Sequence, residues 1–461
     1  MEEKKFWNEE METKSIDEIR EIQFAKLQKQ VAYVYNNSPN HYKKIFDEAG
    51  VQPGDIKTWD DFYNLPFMGS KEMERKAQED SAELEGHPWG TFLCAPKENV
   101  VGVTSTGGTT GTPTFSYLFT EKDLRINDEI WHRVFWRAGI RPGDIVANIF
   151  ALSMHAAGWP TNHALTTLGA TPIPIGAEAG SERILNMLNT VKPKALVGTV
   201  PLMEHLIERA PGILNSDVGV LGVKILLCAG APGAGIPKIR KKLEDSYGAK
   251  IFDSMGGGQG VHMVSCDSEE YHGLHVITSD YHIWATDLAD ADGNPVPFKN
   301  GAVGQGIHTA LDQEAKPFFR YAYGDMIQVI TDECPGCGFK GVRMRLVGRA
   351  DQMLIVKGVN VYPSAIKEVV SSFIPRVTGE LRIVLDAPGP MAEPPLKVRI
   401  EHGEGVGESE IEGLKDELGQ TIRAKLEFRP EIEMVPPNTF ERAGGVSAKG
   451  TLLEKRYEEK K

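Results

Sequence analysis

The sequence predicts an α/β protein with a large N-terminal domain on parallel-rich sheets and a small α+β domain at the C-terminus. Three observations lead there. From about residue 140, short apolar runs at 144–150, 195–200, 223–229 and 250–255 alternate with amphipathic stretches. That is the pattern of strand–helix–strand units around a sheet buried on both faces. A polar break at 349–352 then separates two β-rich segments, and enough chain follows it for a small domain of its own. Finally, 461 residues, 41% hydrophobic and 25% charged, suffice for a large core and more than one domain. The expected organisation is residues 1–348, a connecting segment 349–352, and residues 353–461.

Near the N-terminus, Phe24, Leu27, Val31 and Val34 recur at spacings of three and four, which predicts an amphipathic helix lying on a core. After the break the apolar run ending at Tyr362 reads as a strand, and Pro363 opens a helix from about Ser364. Strands near 382–385 and 397–401 and a helix over 408–426 complete the small domain.

Composition excludes several partners. The formal net charge of -13 supplies no basic field for nucleic acid. No run approaches the roughly 18 apolar residues of a membrane span, and the opening Met1-Glu2-Glu3-Lys4-Lys5 is too charged for a secretory signal, so the cytoplasm is the expected compartment. Five cysteines without such a signal do not suggest a disulfide framework.

The strongest local signal is the run "TSTGGTTGTPT", Thr104 to Thr114. Its glycines let backbone approach a ligand closely, and its hydroxyl and amide groups donate to phosphate oxygens without net positive charge. Thr106, Gly107, Gly108, Thr109, Thr110 and Gly111 are the candidate phosphate contacts. The Gly-Lys pair of a P-loop is missing.

Thr106 to Pro113 resembles the SSGTTGKP phosphate loop of the acyl-adenylate-forming superfamily. Downstream, "FFRYAYGDM" resembles that superfamily's ribose-binding segment. The stretch "GRADQMLIVKGVNVYPSAIKEVV", residues 348 to 370, is very similar to the hinge of phenylacetate-CoA ligases. The opening motifs "FWN", "YKKIFDEAGV" and "LPFMGSKEM" resemble the same subfamily, so the likeness covers nearly the whole chain. It implies a large ATP/AMP- and acid-binding domain with a mobile C-terminal lid. It also implies Asp325 and Arg349 at the ribose, Asp351 as the hinge, and Mg²⁺ and coenzyme A as partners in activating a small, aromatic carboxylic acid. The implied chemistry has two steps: the acid attacks the α-phosphate of ATP, releasing pyrophosphate, and the CoA thiol then displaces AMP. Homodimerisation is an expectation from the same resemblance.

The sequence departs from the family pattern in its ATP half. Gly107 stands where Ser or Thr is usual, and Thr112 where Lys is usual. Counting back from Cys266 along "FDSMGGGQG" puts Phe252 at the adenine-stacking aromatic and Gly256 at the magnesium-binding Glu, which leaves Asp253 as the nearest carboxylate. Near the C-terminus, Val446 falls on the family's adenylation Lys if no gap is allowed, and Lys449 reaches it with a three-residue insertion. Transfer to an acceptor other than CoA, or a binding subunit without ATP chemistry, therefore stand as alternatives to the ligase reading.

Two further features complete the candidate set. Cys334-Pro-Gly-Cys337 supplies two thiolates at a spacing that suits a tetrahedral zinc. Cys266 and the following "DSEEYHGLH" supply a thiolate and two imidazoles; the resemblance selects His275, with His272 as the alternative, for a closed structural Zn²⁺ site. A reduced surface pair of cysteines is the competing reading. The stretch "NIFALSMHAAGW" falls where the family places part of its acyl pocket, with Phe150, Met154 and Trp159 facing an apolar acid and His155 meeting a polar substituent. The competing reading there is plain core packing. "CAGAPG", Cys228 to Gly233, resembles the family's Gly-Ala-Glu-Pro turn without its Glu.

Overall fold

The computed structural model of the chain describes residues 4–106, 114–231, 233–257, 261–440 and 452–457. Among these, thirteen strands form one mixed sheet. Its parallel half runs in the order Thr171–Pro174, Ile145–Asn148, Ala195–Gly198, Ile225–Cys228, Lys250–Gly257. The chain returns between these strands through the helices Trp159–Leu168, Ser181–Val191, Val200–Leu214 and Pro237–Tyr247. Central strands such as Ala195–Gly198 and Ile225–Cys228 are buried at every position, because helices cover both faces. One core cluster gathers Leu185, Leu206, Leu226, Leu243 and Ile251; the other gathers Trp131, Phe135, Leu165, Val197 and Phe252.

Beyond Lys250–Gly257 every neighbour in the sheet is antiparallel, passing through the long strands Arg343–Arg349, Tyr321–Ile330 and Val303–Ala310 to an edge at Pro295–Val296. The N-terminal helix predicted from its spacing spans Ile16–Asn37. Ser15 caps it in a capping box with Glu18, and Leu27, Val31 and Val34 are fully buried.

After Arg349 the strands make sheets of their own. Leu354–Val356 pairs with Val359–Val361 and Met391–Ala392, and a four-stranded sheet runs Pro430–Val435, Leu396–His402, Val377–Leu385, Leu453–Lys455. The helices Pro363–Ser371 and Glu408–Leu426 share a separate core with them, through Ile366, Val370, Leu418 and Ile422. A single turn, Ala350–Gln352, joins the two sheet systems.

Candidate nucleotide site and metal centre

The strand Tyr321–Ile330 sets Asp325 directly opposite Arg349 of the strand Arg343–Arg349. The Arg349 guanidinium donates from Nη1 to Asp325 Oδ1 at 3.1 Å, and from Nε and Nη2 to the two oxygens of Asp351, each at 2.9 Å. Burial tends to lift the Asp351 carboxyl, but the Arg349 guanidinium outweighs it and holds the group below its ordinary range. Gly324 precedes Asp325 at φ +87°, a conformation that favours glycine, and a Cβ there would crowd Arg349 Nη2 at 3.0 Å. The side chains of Asp325, Arg349 and Asp351 remain 15%, 27% and 59% exposed, which leaves this triad open to a ligand.

The candidate phosphate loop is flanked by an antiparallel pair, Gly102–Thr106 and Thr114–Phe119. Thr106 is the last residue of the entering strand; Gly107, Gly108, Thr109, Thr110 and Gly111 lie outside the described residues, as does Lys449. Two expected pocket residues are held against this hairpin. His155 bridges Ser105, whose backbone N–H donates to Met154 O at 2.6 Å, and Trp159 Nε1 donates to Val103 O at 3.1 Å. The Trp159 ring lies edge-on to Phe119 with centroids 5.6 Å apart. Glu178, which the sequence did not single out, accepts from the backbone N–H of Leu152 and Ser153 at 2.9 and 3.1 Å and so fixes the start of this segment.

Two of the expected site residues are buried. Phe252 and Phe150 are 3% and 5% exposed, and both rings belong to the core cluster formed with Trp131 and Leu165. Alternation along Lys250–Gly257 sends Asp253 to the opposite face of the sheet from Phe252. There its Oδ2 accepts from Tyr271 Oη at 2.7 Å. Burial raises the Asp253 carboxyl to about 6, with the Tyr271 bond opposing the shift. This carboxylate is engaged by a protein hydroxyl and is not an open stand-in for the family's missing Glu.

Cys266, His275, Cys334 and Cys337 come together with one ligand atom from each within 4.8 Å of one another. His272 is not among them. Sulfurs on a tetrahedron with 2.3 Å bonds lie about 3.8 Å apart, so the four donors need only small adjustments to close on one ion. Cys266, His275 and Cys334 are buried and Cys337 is half-buried. Burial lowers the His275 pKa, which favours the neutral imidazole a metal requires, and its Nδ1 has no hydrogen-bond partner among the described residues. Arg137 donates to Cys337 Sγ at 3.1 Å, a cation beside a set of three thiols.

Comparison with known proteins places these sites in context. Residues 358–450 match the model of the AMP-binding enzyme C-terminal domain. A phenylacetate-coenzyme A ligase of Thermus thermophilus is 29% identical, over 95% of this chain and 96% of its own. One from Pseudomonas putida is 28% identical over 78% of this chain and 77% of its own. Among solved structures, a 2-hydroxyisobutyryl-CoA ligase in its postadenylation state with 2-HIB-AMP superposes with a TM-score of 0.86 at 27% identity, covering 99% of this chain and 93% of that one. The same ligase in its thioesterification state, with 2-HIB-AMP and CoA, gives 0.70.

Proposed function

We propose that the chain, a phenylacetate-CoA ligase-like member of the adenylate-forming enzymes, activates a small, flat carboxylic acid at the junction of its two sheet systems. It is an AMP-forming acid-CoA ligase: acid and ATP give an acyl-adenylate and pyrophosphate, and CoA then takes the acyl group and releases AMP. The observation that carries the proposal is the Asp325–Arg349–Asp351 triad, an open charged set at the turn where one sheet system ends and the other begins.

In this reading Asp325 accepts from the ribose hydroxyls while Arg349 holds the carboxylate in place. The loop Thr106–Gly111 takes the phosphates, with Mg²⁺ among them. His155 and Trp159, tied to the loop's entering strand, face the acid. Asp351 is the hinge about which residues 353–461 turn between the two steps, so that Lys449 serves adenylation in one position and the thiol reaches the acyl carbon in the other. The higher TM-score against the postadenylation state fits a chain drawn in the first of these positions. The four-donor cluster is assigned a structural Zn²⁺, which would brace the strand Arg343–Arg349 ahead of the turn and take no part in the reaction.

The test is pyrophosphate release with ATP and Mg²⁺ over a panel of aromatic and short hydroxylated acids, with and without CoA, in wild type and Lys449→Ala. Acid-dependent release that falls by about 10²-fold in the variant, about 2.7 kcal/mol of transition-state stabilisation, is the expected result. ATP binding without release for any acid would favour the second reading, a binding subunit, which the engagement of Asp253 by Tyr271 and the Gly256 substitution motivate.

A further inference from the structure

Among the described residues the strand Thr114–Phe119 pairs with one neighbour, so its outer edge takes partners from elsewhere. Three side chains provide them. The backbone N–H of Phe115 donates to Gln78 Oε1 at 2.8 Å, and Lys316 Nζ donates to Phe115 O at 2.9 Å. Ser116 Oγ donates to Glu74 Oε2 at 3.1 Å.

Glu74 and Lys316 are themselves an ion pair at 2.7 Å, with side chains 4% and 2% exposed. Glu74 Oε2 also accepts from Tyr321 Oη at 3.1 Å, four residues before Asp325 on the ribose strand. Glu74 and Gln78 lie one helical turn apart on the same face of Lys71–Leu84, with Ala77 buried between them. A single buried charged node thus joins that helix, the exit strand of the phosphate loop and the strand carrying Asp325.

Burying two charges is costly, and an apolar pair of equal volume commonly serves stability as well or better. What the ion pair supplies is direction: Glu74 Oε2 and the ammonium of Lys316 have fixed partners, Ser116 Oγ and Phe115 O, on a strand that pairs with a single neighbour among the described residues. We propose that Glu74, Lys316 and Gln78 are positioning residues for ATP, holding the exit strand so that the loop addresses the β- and γ-phosphates while Asp325 addresses the ribose. This rests on the reading of Thr106–Gly111 as the phosphate loop.

The experiment measures the dissociation constants of ATP and of AMP, without acid, for wild type, for the double variant Glu74→Met/Lys316→Met and for Gln78→Met, with the melting temperature of each. The double variant removes both charges together, leaving neither one buried alone. The proposal expects ATP to bind about tenfold or more weakly in the double variant and about threefold more weakly in Gln78→Met, with AMP within about twofold of wild type in both. Equal loss for ATP and AMP, or no loss for either, would overturn it. Should the double variant fail to fold, the ATP-to-AMP ratio in Gln78→Met decides alone. Wild type that binds ATP but releases no pyrophosphate with any acid would sink the ligase reading and leave this proposal to its own binding data.

Discussion

One strand, Arg343–Arg349, touches two charged sites of opposite character. At its start Arg343 pairs with His275 of the metal cluster; at its end Arg349 pairs with Asp325. Six residues of strand put these about 20 Å apart. The first site is closed, with four donors directed at one another and three of the four buried. The second is open, with one guanidinium shared between two carboxylates that stay accessible. A closed set can brace, while an open set can bind and let go. In the proposed reading the strand carries a fixed anchor at one end and a working site beside a turn at the other.

That contrast is sharpened most by Asp325→Ala. Removing the carboxylate opposite Arg349 is expected to lower kcat/KM for ATP by about 10²-fold or more, since on the proposed reading a charged hydrogen-bond partner of the nucleotide is lost while the fold is kept. Metal content should be unchanged. Cys334→Ser is the converse experiment: bound zinc is expected to fall from about one per chain to near zero and the melting temperature to drop by several degrees, with the ATP dissociation constant within about twofold of wild type. A nucleotide effect as large as the thermal one would erase the distinction between the two ends.

A smaller effect is expected at the turn. Asp351→Pro fixes φ where the chain is proposed to swing. Thioester formation should slow by about tenfold more than adenylate formation, read in separate single-turnover assays of the two half-reactions.

The smallest effect concerns Asp253. Its folded-state carboxyl is raised to about 6, whereas the unfolded carboxyl ionises near 4. Between those values the native state holds a proton that the unfolded state has released, so this group's contribution to stability is fullest below about pH 4 and is lost as the pH rises to about 6. Relative to Asp253→Asn, wild type should therefore melt progressively lower across that window and keep a constant offset above it. A difference that does not change with pH would contradict the buried placement.

Much of the fold was legible because its periodicities are local. The helix Ile16–Asn37 follows from four apolar residues at helical spacing, and Glu408–Leu426 was readable to its ends. The parallel strands were readable because burial on both faces makes them continuous apolar runs. The clustering of Cys266, His275, Cys334 and Cys337 was legible through resemblance, although Cys266 and Cys334 are far apart in sequence.

Side-chain facing was less legible: counting back from Cys266 puts Phe252 at the nucleotide, and in a strand one position decides the face, while the Phe252 ring packs in a core cluster. What escaped altogether were partners distant in the chain, such as Lys316 with Glu74, 242 residues apart, and Glu178 with Leu152, 26 apart. No spacing rule joins such residues.

The measurement that bears most directly on the central claim is a quenched single turnover with ATP, Mg²⁺ and each acid of the panel, analysed by mass before and after CoA is added. The account predicts an acyl-adenylate that accumulates without CoA and is converted to acyl-CoA and AMP when CoA arrives. ATP that binds but remains intact with every acid would contradict it.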